Sequence, residues 1–290
     1  MGLLERVRQT CAAVAAGALS VSIDLDRLDA VEPVPAPQLD PDRHYLEGSR
    51  EEVTCFFLCL DSINFGSGWF PTLRKRPGCS GYFTVASALT DRFRAQGPWS
   101  SAQLVALDGP AVARVLGQDS GHELMALYAR ALNDLGVFLG RRSAVAVVDA
   151  AGGSAERLAE RLAAGMPFYD DTGFYKRAQI VANDLALAGV GTFSDLDRLT
   201  IFADNLVPHV LRMDGVLRYQ AELAAHIDAE ELLVPGPQER EIRACALHAC
   251  ELIAQRSGVA PRQIDNWLWN RGQAPGYKAV PRHRTRTVFY

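Results

Sequence analysis

The chain has no apolar run long enough to cross a bilayer, so no membrane partner is expected. It also lacks a basic excess: 30 Lys and Arg stand against 34 Asp and Glu, for a formal charge of −4. A duplex demands many compensating cations, so no stable nucleic-acid partner is expected; one small anion needs only a local Lys/Arg cluster or a helix N-terminus. Cysteine is sparse. No pair among Cys11, Cys55, Cys59, Cys79, Cys245 and Cys250 has the two-residue gap of a zinc knuckle or redox motif, and no His accompanies the Cys55/Cys59 helical turn. These read as buried thiols, with no metal or cofactor implied. Near the start, Glu5, Arg6, Arg8 and a short apolar run argue against a signal peptide, which makes the cytosol the expected compartment. Strand signals are few: 20–23, 144–148 and 285–290 suit short strands that could build only a small accessory sheet.

What is abundant is helical periodicity. Leu124, Leu127, Tyr128, Ala131, Leu135, Phe138 and Leu139 recur at three- and four-residue steps over 123–139, with Gly140 as a stop. Asp108, Pro110 and Gly117 bracket a short helix, as Ser154 and Gly165 bracket another. Residues 239–253 put Ile242, Ala246, Ala249, Leu252 and Ile253 on one face and end near Gly258, and 261–270 follows, closed by Gly272. With 48% hydrophobic residues the chain can bury a full core. The pattern predicts a mainly α protein, one helical domain over 1–290 with a few short accessory strands. Residues 1–42 form its first helix and a Pro-rich connector (32–41, with Pro33, Pro35 and Pro37) packed on it.

Three polar clusters interrupt apolar helical surroundings, where an ionisable or amide group is costly unless a partner or ligand satisfies it. In the first, 52–70 reads as an apolar helix carrying Asp61, Asn64, Phe65 and Trp69; Asp61 and Asn64 share a face and could meet a planar heterocycle, or simply cap the helix beside core aromatics. In the second, Tyr169, Asp170, Asp171, Lys176, Arg177, Gln179 and Asp184 occur together. Lys176, Gln179 and Asn183 fall on one face, pointing into a cleft or forming a solvated, ion-paired surface. In the third, Gly189 and Gly191 precede Asp204, a single carboxylate among Ile201, Phe202, Ala203, Leu206 and Val207 that is justified as a functional group or as an N-cap. The glycines could close a helix or open a helix-hairpin-helix. A basic tail, 280–290, could close over an anion or form a solvated edge strand.

Several of these words, with others in the same order, resemble the queuosine salvage family of queuosine 5′-monophosphate N-glycosidases: Val21-Ser-Ile-Asp24, Leu60-Asp-Ser-Ile-Asn-Phe65, Gly81-Tyr82, Phe174-Tyr-Lys-Arg-Ala-Gln-Ile180, Leu199-Thr-Ile-Phe-Ala-Asp204, Glu239-Arg-Glu-Ile-Arg243 and Val280-Pro-Arg-His-Arg284. The resemblance implies an all-α fold similar to DNA glycosylases and metal-free hydrolysis of the nucleotide to queuine, a 7-deazaguanine. It implies Asp204 as the catalytic carboxylate and Asp61 and Asn64 at the heterocycle edge, with Asp61 alternatively meeting the cationic aminomethyl group. Phe65 is implied as stacking surface and Lys176 as phosphate ligand, supplemented by Arg284 or His283; Tyr82 and Asp184 complete the substrate-binding set. Asn205, Leu206 and His209 depart from the family pattern, so no role transfers to them, and the shorter, glycine-rich segment after Phe65 leaves Trp69 without an assigned equivalent. The rival functions are a DNA or other nucleobase glycosylase and a non-catalytic helical nucleotide-binding protein.

Overall fold

The computed structural model describes residues 1–29 and 37–290; Pro33 and Pro35 of the expected connector lie outside the described residues. Helix α1 (Leu3–Ala16) leads to strand β1 (Val21–Ile23), then to α2 (Arg50–Ser62), α3 (Gly81–Gln96), α4 (Ser101–Val105), α5 (Gly109–Leu116), α6 (Glu123–Leu139), α7 (Ala144–Asp149), α8 (Ala155–Gly165) and α9 (Lys176–Leu187). The chain continues through α10 (Leu206–Met213), β2 (Leu217–Tyr219), α11 (Ala221–Asp228), α12 (Pro237–Ser257), α13 (Pro261–Arg271) and α14 (Pro275–Lys278). Among the described residues no helix is long and apolar enough to cross a membrane.

Local signals place many of these boundaries. Ser49 and Glu52 close a capping box on α2, Asp108 accepts the Ala111 N–H at 2.8 Å to start α5, and Ser154 does the same for α8. Gly117, Gly140 and Gly258 end their helices with positive φ. The apolar faces then meet around α2, whose residues from Val53 to Ser62 are all buried and which packs against α3, α6, α7 and α9. A second contact joins α1 to α12.

Two of the expected strands are corrected. Residues 144–148 are helical because the Glu51 carboxylate accepts the N–H groups of Ala144 and Val145, at 2.6 and 2.9 Å, and Ser143 caps the same end; satisfied amides outweigh β-branching. Residues 285–290 form no ladder. Their carbonyls are taken by other partners, Val288 by Arg177 and Tyr290 by the Gly66 N–H. The strand near 20–23 is present, paired antiparallel with β2 in the register Val21↔Tyr219, Ser22↔Arg218, Ile23↔Leu217. The first cluster's helix also stops earlier than 70, at Ser62.

The tail from 280 onward is anchored by the buried His283, Thr285 and Tyr290 while its other residues stay partly or fully exposed. At Gly68 the backbone passes so close to it that a Cβ would lie 2.5 Å from the Thr285 carbonyl oxygen. Gly68→Ala is therefore expected to displace the tail and lower stability by about 1–3 kcal/mol. A urea melt checks this, with the midpoint falling and the slope unchanged.

Candidate active site

A cavity of about 670 Å3 opens between α9, the segment before α10, α13, the start of α3 and the tail. That volume suits a nucleotide-sized ligand. Its floor is one stripe of α9: Lys176, Ile180, Asn183, Asp184 and Leu187 all line it, at the spacing of a single helical face. The reading of this cluster as a solvated surface is thereby set aside, since α9 is buried along nearly its whole length. Gln179 does not reach the cavity. Arg177 faces the core instead, donating to the carbonyls of Ser62, Phe168 and Val288.

The start of α9 is unusual. Tyr175 adopts a left-handed φ of 51°, a strained conformation for a non-glycine residue, and Asp171 satisfies the turn by accepting the Lys176 N–H at 3.3 Å. Asp171 is in turn held by Arg243 of α12, whose guanidinium meets both carboxylate oxygens at 3.1 and 2.5 Å. The same Arg243 donates through Nε to the Ala203 carbonyl at 2.9 Å.

Ala203 belongs to a short extended segment, 200–204, that delivers Asp204. Side chains from three helices suspend it. Gln179 of α9 accepts the Thr200 N–H at 3.0 Å, Asp265 of α13 accepts the Phe202 N–H at 2.8 Å, and Arg243 of α12 takes Ala203. Asp204 itself is half-buried and lines the cavity. Its Oδ1 accepts the N–H groups of Leu206 and Val207, at 2.7 and 3.0 Å. One oxygen serves the first turn of α10 from the residue before its N-cap Asn205, where the helix dipole complements negative charge, and no hydrogen bond among the described residues engages the other.

Around Asp204 the electrostatics are crowded. The Lys176 ammonium donates to the Asn64 carbonyl and Oδ1 at 3.0 and 3.1 Å. Burial pulls it down to about 8, against the pull of the Asp204 and Asp61 charges. Burial likewise lifts Asp184 to about 7, opposed by the Asn183 amide and the Lys176 charge. Asp61 does not line the cavity; it is fully buried behind α9, and neither oxygen has a hydrogen-bond partner among the described residues. Burial and then the Asp184 charge push it well above the usual carboxylate range.

The aromatic wall also differs from expectation. Phe65 touches the cavity, but it is only 1% exposed and edge-packed between Tyr128 and Phe168, at centroid distances of 5.0 and 5.9 Å. Tyr82, Phe83 and Trp269 present half-buried rings instead, with Trp269 packing edge-on to the other two at 5.6 and 5.5 Å. Tyr82 is further held to His44, its hydroxyl 3.1 Å from Nε2. Trp69 is directed away and donates to Glu123.

Four cations line the mouth: Lys75, Lys278, Arg282 and Arg284. Lys278 is held below its ordinary range by partial burial and then by the charges of Arg282, Arg43 and Lys75. Arg284 donates to the Glu230 carbonyl at 2.5 Å, whereas Lys75, Lys278 and Arg282 have no ion-pair partner among the described residues. His283 is not on the cavity surface. Its ring is buried with both nitrogens unpaired among the described residues, and burial beside Arg243 and Arg282 presses it to about 3. Its carbonyl accepts from Asn205, and His209 is turned toward the Tyr277 carbonyl.

The cavity thus gathers Asp204, Asn64, Phe65, Tyr82, Lys176, Asp184 and Arg284 from the sequence reading, and adds Asp265, Trp269, Phe83, Lys278 and Arg282. Asp265 carried a signal of the same kind as Asp204: it lies on the buried stripe Pro261, Ile264, Asp265, Leu268 of α13. Arg282 belongs to the basic tail read as able to close over an anion, whereas Trp269 carried no signal that separates it from core residues.

Known proteins similar to this chain share one name. The family model described as "Queuosine salvage protein" matches residues 44–290. A protein of Sphaerobacter thermophilus named queuosine 5′-phosphate N-glycosylase/hydrolase is 33% identical over 286 residues, covering 90% of this chain and 88% of its own. The Mus musculus protein of the same name is 29% identical, with 84% and 83% covered. The one from Dictyostelium discoideum is 40% identical over 40% of each chain. The match takes in α3, α9, α10, α13 and the tail, and the chain belongs to the queuosine salvage protein family.

Proposed function

We propose that the protein hydrolyses the N-glycosidic bond of queuosine 5′-monophosphate, releasing queuine and ribose 5-phosphate. The observation that carries this reading is Asp204: a carboxylate fixed by two helix amides, with an oxygen left toward a nucleotide-sized cavity lined by Lys176 and Arg282. Loss of the base develops positive charge at the anomeric carbon. A pre-oriented carboxylate stabilises that charge and takes a proton from the attacking water. Lys176, tethered to Asn64, fixes the acid's surroundings and orients the sugar. Tyr82, Phe83 and Trp269 offer the faces and edges against which a flat heterocycle packs.

The 5′-phosphate is assigned to the mouth rather than to Lys176, because the Lys176 ammonium already has two oxygen partners while Lys278 and Arg282 have none among the described residues. Binding energy from a remote phosphate orients the reacting carbon and is realised in the transition state. Arg282→Ala is expected to lower kcat/KM for the nucleotide by about 10- to 100-fold, the worth of one charge-assisted contact, and to change nucleoside turnover little. Side-by-side kinetics on queuosine and its 5′-monophosphate test both the assignment and the function. A wild-type enzyme that cleaves the nucleoside as efficiently as the nucleotide would refute the phosphate site.

One contiguous core supports 1–290 as one domain, with α1 packed on it against α12. The cavity's size and the net negative charge support a small-molecule substrate over a nucleic-acid partner. All six cysteines are unpaired thiols, five of them buried, which supports a reducing, cytoplasmic compartment.

A further inference from the structure

Asp265 does two things at once. Its Oδ1 accepts the Phe202 N–H at 2.8 Å, two residues before Asp204, and the residue also lines the cavity while being only 6% exposed. No hydrogen bond within the described residues engages its other oxygen. A carboxylate this deep needs either a cation or a proton. Among the described residues the cation that acts on it is Lys176, which is shared with Asp204, Asp61 and Asp184.

We propose that Asp265 is the proton donor to the departing heterocycle, acting beside Asp204 in the same cavity; this rests on the glycosidase reading above. In the step, the bond from the anomeric carbon to the ring nitrogen breaks and its electron pair leaves with the nitrogen, which takes the proton from Asp265. The oxygen of water bonds to the anomeric carbon and its proton passes to Asp204. Asp204 then releases its proton to bulk water and Asp265 takes one up, so atoms and charge balance over one turnover. A 7-deazapurine has no N7 to protonate, which makes an acid elsewhere on the leaving group valuable. Two carboxylates held in opposite protonation states by their surroundings are the usual device for such acid–base work.

The charged and titratable groups near Asp265 are Asp204, Lys176 and Asp184 in the cavity and the Cys250 thiol on α12. Burial and the Asp204 charge lift it to about 8, so the donor form is present below that pH and lost above it. Asp184 is the weaker candidate, because its carboxyl is grouped with Asp61 and Tyr82 rather than with Asp204.

The test compares queuosine 5′-monophosphate with 4-nitrophenyl riboside 5-phosphate, whose leaving group departs without a proton. Asp265→Asn keeps an oxygen for the Phe202 N–H. It is expected to lower kcat on the nucleotide by about 100-fold or more and on the nitrophenyl substrate by no more than about threefold. In the wild type, activity above pH 8 should fall more steeply on the nucleotide, which loses both the Asp265 proton and the Lys176 charge, than on the nitrophenyl substrate, which loses only the latter. This second measurement stands even where the variant does not fold. Lys176 also titrates near 8, but loss of its charge would act on both substrates alike. Equal losses on the two substrates in the variant, or alkaline limbs of equal steepness in the wild type, would overturn the donor assignment and leave Asp265 as a positioning residue. A wild type inert toward both would overturn the glycosidase reading itself.

Discussion

Asp204→Asn is expected to reduce queuine release by about 10³- to 10⁴-fold while leaving the fold intact. The two consequences separate because the two oxygens have separate duties. Asn retains an oxygen for the Leu206 and Val207 N–H groups, and it is as good a residue as Asp at a helix start, so the first turn of α10 keeps its partner. What is removed is the negative charge beside the anomeric carbon and the base that takes water's proton. A loss of this size corresponds to about 4–5.5 kcal/mol of transition-state stabilisation. The substrate should still bind, since the aromatic wall and the mouth cations are untouched, so KM should move far less than kcat. Single-turnover rates on folded variant and wild type, with thermal melts in parallel, check the separation. A variant that unfolds, or one that retains most of its rate, would each contradict it.

The second large effect is structural. Arg243→Met is expected to cost about 3–5 kcal/mol, because it strips a buried carboxylate of its cation rather than removing a balanced pair. Arg243 is 3% exposed and Asp171 is 4% exposed. The guanidinium also lies 3.9 Å from the Phe174 ring centroid and 4.6 Å from that of Tyr290, so packing is lost with the charge. Activity should fall further than stability alone explains, since Arg243 holds Ala203 next to Asp204 and Asp171 holds the first turn of α9 below Lys176. Adding Asp171→Asn to the Met variant should recover part of the stability by discharging the orphaned acid. A double-mutant cycle in urea measures that coupling, and strict additivity of the two changes would contradict a buried pair.

These two residues show what can be read from the chain and what cannot. Asp204 was legible as a lone carboxylate in an apolar setting, and α9 as a helix with a polar stripe, because both signals are local. The caps at Asp108 and Ser154 and the stops at Gly140 and Gly258 were legible for the same reason. Segment 144–148 was misread because the deciding partner, Glu51, comes from a distant helix. The cavity's remaining wall depends on tertiary convergence: Asp265 and Trp269 on α13 approach Asp204 only because α13 packs on α10, and Arg282 reaches the mouth only because the tail threads past Gly68. His283 and Phe65 are legible as polar and aromatic residues at the right place in sequence, yet burial turns one behind the wall and wedges the other between two rings.

The most direct test of the central claim is to incubate the protein with queuosine 5′-monophosphate and quantify queuine and ribose 5-phosphate together by mass spectrometry, with Asp204→Asn alongside. The account predicts equal amounts of the two products from the wild type and background levels from the folded variant. Intact substrate at high wild-type concentration, or comparable release by the variant, would contradict it.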